Sequence, residues 1–153
     1  MEANFSIAYI ERCSKETETM IANESSSFLN QSISYLKVHK NEFIYVESVL
    51  FDDIGVEGIS LEADDVFGTY DVMLGLKLQK KYDKLLREYL NSSLDGEHSK
   101  FDLMFSQDDG LWDLNFALNY IAGYKEDMSI SDAFALIHQF LFNLVEAVKK
   151  PTS

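Results

Sequence analysis

The chain contains very little cysteine, proline or glycine, and each shortage excludes a class of protein. Among its 153 residues there are one cysteine, one proline and seven glycines. Because Cys13 stands alone, no internal disulfide is possible, and structural zinc sites that need two or four cysteines are excluded. With 46% hydrophobic residues, the composition is also far from that of disordered chains. We therefore expect a single globular domain over residues 1–153.

Long apolar runs and a basic N-terminal segment are absent too. No stretch approaches the ~20 consecutive apolar residues that a helix needs to span a bilayer. Glu2 stands where a secretory signal peptide would carry positive charge. The sequence therefore predicts a cytoplasmic protein.

The motifs that mark common enzymes are missing as well. The chain has no GxSxG segment, no phosphate-binding glycine loop and no HExxH, and its three histidines are isolated. The acidic pairs do not complete a calcium-binding loop, because the alternating oxygen ligands and the closing glutamate are missing. We therefore expect no catalytic residues, no metal and no cofactor.

Charge of one sign dominates the composition. Asp and Glu number 26 against 13 Lys and Arg, which gives a formal net charge of -13 at pH 7. A field of this sign repels nucleic acid and anionic membranes, and it attracts cationic groups and basic proteins. A basic protein is therefore the expected partner, while direct binding of nucleic acid or of a membrane is not expected.

Hydrophobic spacing in the first half of the chain predicts two helices followed by three strands. The first helix is placed at residues 6–22, and the second carries Phe28, Leu29, Ile33 and Leu36 at spacings of three and four. A β-branched and aromatic run predicts a strand at 42–51, and a shorter run predicts a strand at 56–61. Alternation of apolar residues favours a strand over a helix at 69–78, where Gly68 and Gly75 weaken the helix.

The second half predicts a helix, a hairpin and a closing helix. Residues 79–92 have a one-sided apolar pattern, whereas residues 101–105 and 112–120 alternate on either side of the turn at Asp108, Asp109 and Gly110. Ser129 is placed to cap a final helix at 131–149. The expected fold is α+β, with a mostly antiparallel sheet of about five strands packed with helices.

One interval of the sequence stands out as a candidate binding surface. Between Lys40 and Lys77 there is no lysine or arginine, and the acidic residues in the interval are interspersed with aromatic ones such as Tyr45 and Phe67. Aromatic side chains supply affinity and charge supplies steering, which is the combination that protein-binding surfaces use. The predicted partner-binding residues are Glu42, Glu47, Asp52, Asp53, Glu57, Glu62, Asp64, Asp65 and Asp71.

The last third of the chain resembles part of a known class of proteins. Residues 109–120 read DGLWDLNFALNY and precede the apolar closing helix. This pattern, in a small, acidic, cysteine-poor chain, resembles the second half of several bacterial toxin immunity proteins, in particular those paired with contact-dependent growth inhibition toxins.

The resemblance implies an immunity protein that binds and neutralises a cognate basic toxin domain, a nuclease, by covering or blocking its active site. It also implies that the toxin gene lies immediately upstream. Two other classes stay open: an acidic adaptor or regulatory protein that binds another basic protein, and a small ligand-binding protein or hydrolase.

Overall fold

A seven-stranded sheet is the main element of the fold, and every pair of neighbouring strands in it is antiparallel. The computed structural model describes residues 8–95 and 101–150. The strands lie side by side in the order β2-β1-β3-β4-β5-β7-β6. Their bounds are β1 Tyr9–Ser14, β2 Met20–Glu24, β3 Glu42–Glu47, β4 Val56–Ala63, β5 Tyr70–Leu76, β6 Phe101–Ser106 and β7 Leu111–Ala117.

Two main helices pack with the sheet. A single turn of helix, α1, spans Tyr35–Val38, α2 spans Asp83–Ser93, and α3 spans Ile130–Lys149. The helix α3 begins where the Ser129 Oγ accepts a hydrogen bond from the backbone N–H of Asp132 at 3.0 Å. Within the described ranges, no helix combines the length and the hydrophobicity needed to cross a membrane.

The core lies between one face of the sheet and the helices. Along β5, Tyr70, Val72, Leu74 and Leu76 are buried, while the residues between them are only half-buried. Because side chains alternate between the two faces of a strand, this pattern shows that the helices cover one face only. The stripe of α3 that packs here consists of Ala133, Phe134, Ile137, Phe140, Leu141, Leu144, Val145 and Val148.

The structure confirms the α+β fold and most of the elements predicted after residue 41. The predicted hairpin is β6 and β7, and its turn ends at Gly110, whose φ of +68° explains the need for glycine. The predicted final helix is α3. The predicted helix at 79–92 begins later, at Asp83, because a short 3-10 turn, Lys80–Tyr82, precedes it.

The prediction of a helix at residues 6–22 was wrong. Residues 6 and 7 lie outside the described part of the chain, and the rest of this region forms the β1–β2 hairpin. Arg12 faces the helix-covered side of β1, where its guanidinium contacts Glu24 at 2.6 Å and Glu42 at 3.2 Å. A charged residue at an inward position removes the alternation that identifies a strand.

The prediction of one helix through residues 28–36 was also wrong. A 3-10 helix, Ser26–Asn30, is followed by a segment whose backbone pairs with residues 128–130 instead of continuing helically. The N–H of Ile33 donates to the carbonyl of Met128 at 3.0 Å, and the N–H of Ile130 donates to that of Gln31 at 2.9 Å.

The predicted strand at 42–51 is shorter in the structure. It ends at Glu47, and Ser48 caps a 3-10 helix, Val49–Ile54, by accepting a hydrogen bond from the N–H of Leu50. With β1 and β2 added, the sheet has seven strands where about five were expected.

Two phenylalanines of α3 provide a test of this core. Phe140 is 7% exposed and packs against Phe116 at a ring-centroid distance of 5.3 Å, whereas Phe142 is 41% exposed. We expect Phe140→Ala to lower the free energy of unfolding by about 3 kcal/mol or more, because it leaves a cavity. Phe142→Ala should lower it by less than about 1 kcal/mol. Urea denaturation of both variants measures the difference, and equal losses would contradict this packing.

Candidate protein-binding site

The second face of the sheet has no helix packed on it within the described residues, and we call it the open face. Cross-strand register places one row of outward positions across six strands, from Glu11 on β1 to Asp102 on β6. The open face consists of Glu11, Phe43, Tyr45, Glu47, Ser60, Glu62, Asp71, Met73, Asp102, Asp113 and Asn115, all half-buried or exposed.

The open face is strongly acidic. Six of its residues are carboxylates, and each comes from a different strand. At its margins lie Lys15 and Lys77, the first of which is already engaged: its Nζ lies 3.3 Å from a Glu62 carboxylate oxygen and donates to the carbonyl of Ala63 at 2.6 Å. The face therefore has an excess of negative charge that its own described side chains do not neutralise.

The structure brings together most of the acidic residues predicted from the sequence. Glu47, Glu62 and Asp71 lie on the open face itself. Asp52 and Glu57 line a groove at one end of it, and Asp64 lines a groove at the other end. Asp53 and Asp65 are exposed beside these two ends and line neither groove.

Glu42 does not share this surface. It is 7% exposed and lies on the helix-covered side, where it accepts a hydrogen bond from the Tyr35 hydroxyl at 2.7 Å and pairs with Arg12. A buried, paired carboxylate of this kind holds β1, β3 and α1 together and is not available to a partner.

Three acidic residues of the open face were missed by the sequence prediction. Asp102 and Asp113 belong to the β6–β7 hairpin, and Glu11 belongs to β1. The alternation of the hairpin places Asp102 and Asp113 on the side opposite Trp112, so that signal shows that both face outwards but not which strands they adjoin. Glu11 could not be found in this way, because its strand was predicted as a helix.

Two depressions on the open face form one continuous groove. One has a volume of about 870 Å³ and lies towards Asp52 and Lys77; the other has a volume of about 520 Å³ and lies towards Phe67 and Asp71. They meet at Met73 and Asn115, which line both. Because the groove runs along the outward face of β5, it can accommodate an elongated element of a partner.

The ionisation of Asp71 is altered by its position on this face. Its carboxylate accepts a hydrogen bond from Thr69 Oγ1 at 2.9 Å, and no described lysine or arginine forms a salt bridge with it. Burial raises the pKa of Asp71 to about 6, and the neighbouring carboxylates of Asp64 and Glu62 act in the same direction. At neutral pH the side chain is thus held ionised in surroundings that favour its neutral form.

Tyr45 is held in a defined position on the open face. Its hydroxyl donates to a Glu47 carboxylate oxygen at 2.6 Å, and its ring lies over Gly58, where a Cβ atom would collide with it. Burial, followed by the contact with Glu47, raises the pKa of Tyr45, so the hydroxyl remains protonated. The side chain is therefore ordered before any partner arrives.

The β4–β5 turn presents two exposed apolar residues. Asp64 Oδ1 accepts hydrogen bonds from the N–H groups of Val66 and Phe67, each at 2.8 Å, and these bonds lower the pKa of the carboxyl. Val66 is 81% and Phe67 79% exposed. Gly68, with a φ of +70°, completes the turn.

Cys13 and the carboxylates are the side chains of this surface that bear on nucleophilic or metal chemistry. Cys13 is buried, and burial together with Glu11 raises the pKa of its thiol to about 11, so the thiolate is scarce at neutral pH. Among the residues that the structure describes, no group of three or more His, Cys, Asp or Glu side chains is placed to hold a metal ion.

Comparison of the chain with protein-family models, with curated proteins and with solved structures finds no match in any of the three. The interpretation of the open face therefore depends on its own geometry and charge.

The ionisation of Asp71 predicts how stability changes with pH. Its pKa is raised in the folded state from an ordinary value of 3.8, so the folded protein holds this proton more tightly than the unfolded chain does. The protonated form of Asp71 therefore favours the folded state at low pH, and this part of the free energy of unfolding is lost as the pH rises from about 4 to about 6. Asp71→Asn keeps the acceptor for Thr69, and at pH 7.5 we expect it to raise the free energy of unfolding by about 1–2 kcal/mol.

Asp113→Asn is the matched control, because Asp113 is exposed on the same face. Urea denaturation between pH 4 and pH 8 should show the gain for Asp71→Asn shrinking towards pH 4, with a change of less than about 0.5 kcal/mol for Asp113→Asn throughout. If Asp71→Asn raised the free energy of unfolding by the same amount at every pH, the raised pKa of Asp71 would be contradicted.

Proposed function

We propose that this protein is an immunity protein that binds a cognate basic toxin domain through the open face of its sheet and thereby neutralises it in the cytoplasm. The observation that carries the proposal is the open face itself. It is a wide, concave surface that bears six carboxylates, with Lys15 and Lys77 only at its margins. A basic surface complements it in charge and shape.

Electrostatic complementarity of this kind supports fast and selective association. Opposite charges raise the rate of encounter by orders of magnitude at low salt, and like charges exclude acidic proteins. A toxin that acts on nucleic acid needs a basic cleft to approach phosphate. An acidic surface that covers this cleft competes with the substrate for the same lysine and arginine side chains of the toxin. Inhibition then needs no chemical step.

Ordered aromatic groups support the same proposal. Tyr45 is fixed by Glu47 and Gly58, and Phe67 is presented by a hydrogen-bonded turn. A rigid aromatic side chain such as that of Tyr45 loses little conformational entropy on binding, so more of its contact energy contributes to affinity. The remaining acidic side chains would then act mainly in steering and in the choice of partner.

The test is binding to the domain encoded immediately upstream, with two variants of equal net charge. Asp102→Lys with Asp113→Lys reverses two exposed carboxylates on the open face, while Glu88→Lys with Glu146→Lys reverses two on the outer side of the helices. Each pair adds four charges, so both variants change the net charge from -13 to -9.

We expect the open-face pair to weaken the complex at least tenfold at low salt, chiefly through the association rate, and the helix pair by less than about threefold. The difference should shrink at 0.5 M salt, where screening is stronger. In cells that produce the upstream domain, wild type and the helix pair should restore growth and the open-face pair should not.

Equal weakening by the two variants would show that net charge matters and the open face does not. If the upstream product is not a toxin, or if no complex survives gel filtration, the immunity function is rejected. Binding to a basic protein that is not toxic would favour the adaptor function instead.

A further inference from the structure

At the end of the open face beside the β4–β5 turn, the groove consists of the smaller depression, with a volume of about 520 Å³ against about 870 Å³ for the other. The exposed ring of Phe67 lies at this end of the groove, and the small residue Ala117 also lines it. We call this end of the groove the Phe67 pocket; it is lined in part by Phe67, Asp71, Phe101, Asp102, Ala117 and Tyr120. The volume lies within the range of about 300–1,000 Å³ that is typical of ligand pockets.

The charge of the Phe67 pocket differs from that of the wider part of the groove. Asp71 and Asp102 lie on two strands, β5 and β6, with β7 between them, so their carboxylates approach the pocket from opposite sides. No lysine or arginine of the described residues lines this pocket, whereas Lys77 lines the wider part. The occupant that complements it carries positive charge.

The aromatic lining distinguishes between the two cationic side chains. A guanidinium is planar and weakly hydrated, and it stacks on aromatic rings while it donates to two carboxylates from one plane. An ammonium is compact and strongly hydrated, so it loses more hydration free energy than a guanidinium when it enters a pocket lined with apolar groups. Phe67 offers its ring at 79% exposure, whereas Phe101 and Tyr120, which also line the pocket, pack against the core.

We infer that the Phe67 pocket receives an arginine side chain of the basic partner, stacked on Phe67 and paired with Asp71 and Asp102. The inference rests on the proposed function, because it names the group through which that partner engages the open face. It also accounts for an exposed apolar turn beside an acidic groove, an arrangement that contributes nothing to the core.

The experiment uses the upstream-encoded domain labelled with 15N in its arginine side chains. On binding to the wild-type protein, one Nε–Hε resonance should move upfield, because the ring of Phe67 shields it, and its exchange with water should slow. Phe67→Ala should abolish this shift and weaken the complex about tenfold.

Phe142→Ala is the matched control, since Phe142 is also exposed but lies on α3, on the helix side of the sheet. It should leave the arginine resonance shifted and the affinity within twofold. Both variants should keep the melting temperature of the wild type, because neither phenylalanine is in the buried core.

The outcomes separate this inference from the proposed function. If the open-face charge reversals weaken the complex but no arginine resonance shifts, or if Phe67→Ala binds as tightly as wild type, the arginine assignment is overturned and the proposed function stands. If the upstream domain does not bind at all, both are rejected.

Discussion

Packing of α3 across the sheet is the contact on which the remaining architecture depends. Phe134, Ile137, Leu141 and Leu144 are fully buried against residues of the strands. One layer of helices is sufficient to cover one face of the sheet in a chain of this length. Its position determines which side chains of each strand enter the core. The same contact therefore decides, by exclusion, which side chains form the open face.

The open face carries an electrostatic disadvantage in the isolated protein. Glu62 and Asp71 are directly opposite each other on β4 and β5, and like charges in such positions are unfavourable. Lys15 offsets the charge of Glu62, but Asp71 is left with a raised pKa. A cation from a partner would relieve this disadvantage, so the energetic state of Asp71 supports the proposed function independently of the shape of the groove.

The success of sequence-based prediction depended on how regular each element is. The β6–β7 hairpin and α3 were predicted well, because Trp112, Leu114 and Phe116 alternate cleanly and α3 has a continuous apolar stripe. The strands β1 and β2 could not be recognised. Arg12 points inwards on β1, and on the edge strand β2 both Met20 and Ile21 are about half exposed, so neither strand has one apolar and one polar face.

The candidate site was predicted in part for a related reason. Counting charges along the chain located Asp71 and its neighbours. It could not distinguish them from Glu42, whose side chain faces the helices although the next residue in the strand faces outwards. It also could not join Asp102 and Glu11, because cross-strand register brings together residues that are far apart in the sequence. Long-range pairing of this kind is a property of the sheet and is not visible in any local pattern.

The alternation of inward and outward residues along most of β3, β4, β5 and β7 has a consequence for how such a protein can diversify. Inward residues such as Ile44, Leu61, Val72 and Leu114 maintain the core, and the outward residues between them make no contribution to it. Substitutions can therefore accumulate at many outward positions of four adjacent strands while the fold is kept. A family built on this sheet could change its partner by altering one face and retain a single scaffold.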